Sequence, residues 1–118
     1  MLRKVDKHSG IPAYVQIVNM IKSEILLGNL QKGAQLPTVR DLQNIFDVNI
    51  NTVLKALEKL KAEGYIEAEQ GVGYFIKKDI YLDQKIVETV RECVLKLKNH
   101  GIDFYTVMLI FEEVWKNG

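Results

Sequence analysis

The sequence predicts a mostly α-helical α+β protein. It reads as a winged helix-turn-helix over residues 1–78 and a two-helix C-terminal dimerisation tail over residues 79–118. Three observations carry this. A short amphipathic segment and a longer one flank the tight connection Asp47-Val48-Asn49. Two β-prone runs follow, joined around Gly71-Val72-Gly73. The stretch from Phe104 to Trp115 is apolar on nearly every face. Helix, short helix, turn, longer helix, hairpin is the order of a helix-turn-helix followed by a β-wing.

Each element has a local reason. Pro12 suits the first position of a helix, where its missing N–H costs nothing. Tyr14, Ile17, Val18, Ile21 and Ile25 follow the 3.6-residue period, and Gly28 ends the pattern. Leu30 to Leu36, with Gly33 and Pro37, reads as a loop. Thr38 caps a second helix of about two turns, with Asp41 three residues on and Val39, Leu42, Ile45 and Phe46 facing inward. Asp47 tolerates left-handed backbone angles and so can turn the chain. Asn49 or Asn51 then caps a third helix with Val53, Ala56, Leu57 and Leu60 on its inner face, ending at Gly64. Residues 65–69 and 74–77 read as hairpin strands. A fourth helix after Asp79 carries Ile86, Val90, Cys93, Val94 and Leu97, and closes at His100-Gly101. Asp103 caps a fifth, running to about Trp115.

Composition narrows the function class. Of 118 residues, 47% are hydrophobic and 26% charged, as in an ordinary globular chain and unlike a disordered one. The lone Cys93 excludes an internal disulfide framework and a multi-cysteine metal site. On its apolar helical stripe it reads as a packed core cysteine. Met1 to His8 is basic but precedes no apolar stretch, so no signal peptide is expected. No apolar run nears the roughly 18 residues of a membrane span. The expectation is a cytoplasmic protein with no membrane partner, no metal and no cofactor. His8 and His100 stand far apart, Ser9 and Ser23 are the only serines, and no spacing matches a zinc protease, nucleophile elbow or phosphate loop. An enzyme is not expected.

Charge is uneven along the chain. Residues 1–78 hold 11 basic and 8 acidic side chains, whereas residues 79–118 hold 5 and 7. The sign fits a polyanion-facing front part, although a near-neutral chain also varies this much by chance.

On the third helix, the face opposite its apolar stripe centres on Asn51, Lys55, Glu58 and Ala62, with Leu54 and Lys59 on its flanks. The second helix of such a pair enters the DNA major groove with its N-terminal residues leading. Asn51 suits adenine or a phosphate, and Lys55 a guanine edge or a phosphate. Thr52 with the first free N–H groups suits a phosphate oxygen. Arg40, off the apolar stripe near Thr38, can fork onto guanine or clamp a phosphate. The same residues also suit an ordinary solvated face, with Asn as a cap and Arg40 in a weak ion pair.

Beyond these readings, Pro12-Ala13-Tyr14-Val15-Gln16-Ile17 and Gly33-Ala34-Gln35-Leu36-Pro37-Thr38-Val39-Arg40-Asp41-Leu42 resemble the N-terminal domain of the GntR family of bacterial transcription regulators. The resemblance runs on through Asn51-Thr52-Val53, Ala56-Leu57-Glu58-Lys59-Leu60 and Glu63-Gly64-Tyr65-Ile66 to Gly71-Val72-Gly73-Tyr74-Phe75-Ile76. It implies a DNA reader, normally a homodimer on an inverted repeat, and here a repressor. It also implies DNA contacts at Thr38, Arg40, Asn51, Thr52 and the wing glycine Gly73. With Lys55, Asn49 and the second wing glycine Gly71, these form the expected DNA-binding set. The short helical tail resembles the YtrA subfamily, whose members often sit beside ABC transporter genes, which implies such targets. Three departures stand out. Ile50 replaces a frequent Arg or Pro, Leu54 replaces a frequent Arg, and the wing approach Glu67-Ala68-Glu69-Gln70 is acidic. Acidic residues repel phosphate, unless Glu67 and Glu69 pair with Lys77 and Lys78 across the hairpin.

The surplus apolar surface of the fifth helix predicts a symmetric dimer. Val90, Val94, Phe104, Met108, Phe111 and Trp115 are its expected interface, with packing back onto helix one as the alternative. An effector ligand is unknown, and a tail this short encloses no large pocket alone. The functional alternative is a winged helix that binds only protein.

Overall fold

The computed structural model describes residues 1–118 as five helices and one two-stranded sheet: α1 (Ala13–Leu26), α2 (Val39–Phe46), α3 (Ile50–Ala62), β1 (Ile66–Glu69), β2 (Gly73–Ile76), α4 (Gln84–Asn99) and α5 (Phe104–Asn117). They form two compact units, Met1–Leu82 and Asp83–Gly118. The units divide later than the boundary expected after Lys78. Residues 79–82 return to the first unit, where the Leu82 N–H donates to the Leu26 carbonyl at 2.8 Å.

In the first unit the caps are set locally. The Thr38 Oγ1 accepts from the Asp41 N–H at 3.1 Å and the Asn49 Oδ1 from the Thr52 N–H at 3.0 Å. Of the two candidate asparagines, Asn49 is therefore the cap, leaving Asn51 inside the first turn of α3. A side-chain cap of this kind stabilises a helix by about 1 kcal/mol. Pro12 stands one position earlier than expected, as the residue preceding α1, with no side-chain cap bond there. Asp47 holds φ 55° and ψ 55° between α2 and α3. It is the one non-glycine residue with positive φ, so the corner of the helix pair rests on a residue type that tolerates left-handed geometry. The Asp47 carboxylate also meets Lys7 at 3.2 Å.

Ile17, Ile21 and Ile25 of α1, Leu42 and Phe46 of α2, and Val53, Ala56, Leu57 and Leu60 of α3 all bury completely in one core. Ile66 and Ile76 close it from the paired strands. Removing a side chain such as Phe46 from such a core costs about 3–5 kcal/mol. The buried charged side chain, Glu24, pairs with the Met1 ammonium. Gln16 ties down the segment before α1: its Nε2 donates to the Asp6 and Ile11 carbonyls, and its Oε1 accepts from the Asp6 N–H at 2.8 Å.

The hairpin pairs Glu67 with Phe75 and Glu69 with Gly73. Its outer edge is covered: the Leu36 N–H donates to the Tyr74 carbonyl and the Ile76 N–H to the Ala34 carbonyl, both at 2.8 Å. Residues 34–36 thus protect an edge that would otherwise offer unpaired backbone groups. This same segment leads directly into Thr38, so the wing and the start of α2 share a support.

In the second unit, Asp83 caps α4 and Asp103 caps α5. The bonds from the Thr106 backbone and side chain hold the Asp103 carboxyl below its ordinary value of 3.8. The sequence reading of Cys93 as a core residue does not hold: its side chain is exposed. The reason is that the stripe it belongs to lacks cover. Val87 is the buried residue of α4, and α5 buries none. Cys93 and Leu97 line an apolar cleft of about 280 Å³ with Ile102, Val107, Ile110 and Val114.

Candidate nucleic-acid interface

The buried stripe of α3 turns Asn51, Lys55, Glu58 and Ala62 outward, all exposed. A concavity of about 280 Å³ forms at the start of this helix, lined by Asn49, Asn51, Thr52 and Lys55 together with Ala13 and Tyr14 of α1. The structure thus brings four of the expected residues to one place. Thr38 and Arg40 stand apart from it at the beginning of α2, and Gly71 and Gly73 in the hairpin turn.

Hydrogen bonding sorts these residues by what they have left to offer. Thr52 donates its N–H to the Asn49 Oδ1 at 3.0 Å and its hydroxyl to the same oxygen at 3.1 Å. Both Thr52 donors are therefore engaged within the protein, whereas the amide N–H₂ of the exposed Asn49 has no partner in the chain. This pairing joins residues three apart and follows from the cap geometry itself. The Thr38 oxygen accepts from Asp41, which leaves its hydroxyl hydrogen free to donate. Arg40 is exposed and has no hydrogen bond or ion pair within the chain. Its five N–H donors are all available for a planar acceptor such as guanine or phosphate.

Sequence reasoning missed Tyr14. The periodicity of α1 assigns it to the core stripe, yet it is only half-buried, and the Lys55 Nζ lies 4.1 Å from the centre of its ring. No one-dimensional signal links residues so far apart in the chain; only the crossing of α1 and α3 does. A cation over an aromatic face at an exposed site gains about 0.5–1 kcal/mol, enough to restrict a flexible lysine to one side of the concavity. Tyr14→Leu is therefore expected to weaken binding to a selected duplex by about two- to fivefold. Tyr14→Phe, which keeps the ring, leaves it unchanged. Equal affinity of parent and Tyr14→Leu in fluorescence anisotropy titrations would show that the ring does not position Lys55.

The wing carries its negative charge unpaired. Glu67 and Glu69 are exposed and form no ion pair with Lys77 or Lys78. Cross-strand register sets Glu67 opposite Phe75, and the Lys78 Nζ sits 4.3 Å from the Tyr65 ring centre instead. Gly73 has φ +146°, and a Cβ there would come within 2.8 Å of the Gln35 Nε2, the group that donates to the Val72 carbonyl at 3.1 Å. Gly73→Asp is thus expected to lower the melting temperature and weaken DNA binding together. Gly73→Ala brings the same backbone strain without charge, so the further several-fold loss in the Asp variant measures repulsion from phosphate. Equal affinities of the two folded variants would mean that the wing stays off the duplex.

Two short helices meeting at a left-handed corner, an exposed polar face on the second and a hairpin behind it define a winged helix-turn-helix protein. Residues 13–76 match the family described as bacterial regulatory proteins, gntR family, and the chain belongs to that family. It is YtrA-like within it. The HTH-type transcriptional repressor YtrA of Bacillus subtilis is 40% identical over 76 residues, covering 64% of this chain and 58% of that protein. YtrA from Sulfolobus acidocaldarius, a GntR-family transcription factor, superposes with a TM-score of 0.62 at 30% identity, over 81% of this chain and 99% of that one. AraR(DBD), solved in complex with operator ORX1, superposes with a TM-score of 0.56 at 28% identity, over 64% and 92%. The chain spans less than two thirds of the length of the relatives it matches by sequence, 58% for YtrA and 15% for a longer Bacillus subtilis regulator. Regulators of this family are not enzymes. No helix is long and apolar enough to cross a membrane.

Proposed function

We propose that this chain is a sequence-specific DNA-binding transcription repressor. It acts in the cytoplasm as a homodimer on an inverted-repeat operator, with transporter genes as targets. The observation that carries the reading is the outward polar face of α3 on a domain that superposes on one solved with its operator. Arg40 and the Thr38 hydroxyl approach from the start of α2. Asn49, Asn51 and Lys55 approach from the start of α3, and Gly71 and Gly73 bring the wing backbone near the duplex. Thr52 contributes by fixing Asn49 rather than by donating. Asn51 suits adenine in the major groove, whereas Lys55 and the free N–H groups of the first turn of α3 suit phosphates. Val90, Val94, Phe104, Met108, Phe111 and Trp115 form the dimer contact.

The test is a gel shift of the full chain against random duplex DNA at low salt, followed by selection of bound sequences. Affinity that falls steeply with added salt is expected, because each phosphate contact releases counterions. A chain that binds neither random nor selected duplexes at low salt is a protein-binding winged helix instead.

A further inference from the structure

Ile50 and Leu54 are the exposed large apolar side chains of α1, α2 and α3, 48% and 40% exposed. The other large apolar residues of those three helices are buried or half-buried. Neither Ile50 nor Leu54 packs against the core cluster. They are four residues apart, so they stack on one side of the helix. Successive residues turn by about 100°, which sets this short aliphatic strip directly alongside Asn51 and Lys55. It occupies the first two turns of α3, the part of such a helix that leads into a groove.

The major groove offers few matches for such a strip. Base edges there present polar acceptors and donors, and thymine alone adds an apolar group, its C5 methyl. Set against the polar edge of a guanine or cytosine, the strip would desolvate donors and acceptors without replacing their hydrogen bonds. Against thymine methyls it removes apolar surface from water on both partners.

We propose that Ile50 and Leu54 read thymine C5 methyls in the major groove, so that each operator half-site carries thymine next to the base pair addressed by Asn51. The inference rests on the DNA-reading function proposed above and adds to it a base identity.

The full chain first selects its duplex from a random library. That duplex is then compared with one in which deoxyuridine replaces thymidine, a change that removes only methyl groups. Each contacted methyl removed is expected to weaken binding by the parent about fourfold. The double variant Ile50→Ala/Leu54→Ala is expected to bind the thymine duplex more weakly and to treat both duplexes alike, at an unchanged melting temperature. Leu54→Gln keeps a long helix-compatible side chain while removing the apolar end. It is expected to lose part of the discrimination even if the double truncation disturbs the fold. Equal binding of both duplexes by the parent overturns the thymine assignment and leaves the DNA-reading function standing. Full discrimination retained by folded variants places the methyl sensitivity elsewhere and overturns it too. Absence of any sequence-selective binding overturns the DNA reading itself, and the thymine assignment with it.

Discussion

Phe111→Ala and Trp115→Ala, introduced together, are expected to shift the proposed homodimer toward monomer and to weaken operator binding about a hundredfold. Trp115 is 88% exposed, and Phe104 and Tyr105 are nearly as open. Tyr105, Met108, Leu109, Phe111, Glu112 and Trp115 frame a wide apolar groove of about 500 Å³ on α5. A contiguous apolar surface of this kind on a helix that buries nothing is stabilised when a second surface covers it. A second copy supplies one by symmetry, since a two-fold contact needs a single self-complementary patch. The consequence for DNA is one of effective concentration. Once one half-site is bound, the second domain of a dimer meets its half-site at a local concentration near the millimolar range, and avidity rises by about 10²–10⁴. Sedimentation equilibrium and operator titration of the same samples check both halves of the expectation. A parent chain that is monomeric at tens of micromolar, roughly the upper end of a useful dimer affinity, refutes the dimer. The variant should keep the folded winged unit, because neither residue belongs to its core.

Arg40→Ala should cost about 1–3 kcal/mol in specific binding, roughly 5- to 150-fold in Kd. Thermal stability should stay almost unchanged. The separation of these effects is the diagnostic feature. Arg40 has no partner within the protein, and surface substitutions of that kind usually alter stability by less than about 0.5 kcal/mol. An exposed guanidinium in the first turn of α2 is free to form a forked pair with guanine or phosphate. Arg40→Lys keeps the charge but loses the fork, so it should restore non-specific affinity more fully than specific affinity. Isothermal titration with the selected operator and with a scrambled duplex distinguishes the two. If Arg40→Ala binds the operator as tightly as the parent, Arg40 does not contact it.

Much of this architecture was legible because its causes are local. Thr38 as a cap follows from a hydroxyl residue just before an amphipathic run. Asp47 as the corner follows from a side chain that tolerates positive φ between two such runs. The inner faces of α1, α2 and α3 follow from apolar spacing alone: the structure buries most of the residues that spacing selects, from Ile17 to Leu60, and leaves Tyr14, Val39 and Ile45 half-buried at the edge of the core. The membership of the gntR family was legible for a related reason: the segments that carry the resemblance, from Pro12 to Ile76, run in order through the caps, the corner and the wing. Where two local solutions compete, sequence stops short. Asn49 and Asn51 are both good caps, and which one caps depends on where the corner at Asp47 ends.

What the sequence determined by itself, then, is the order of elements, their buried faces and the residue types available at the start of α2 and α3. Tertiary structure alone decided which of those side chains are free. It placed Tyr14 beneath Lys55, because α1 crosses α3 there. It left Glu67 and Glu69 without the lysines that charge counting would assign them, because the hairpin register sets Glu67 against Phe75. It exposed Cys93, because an apolar stripe becomes core only where something covers it. Periodicity reports the face a helix prefers to hide. Whether that face is hidden, and what remains exposed beside it, depends on contacts between residues far apart in sequence, which only the folded chain brings together.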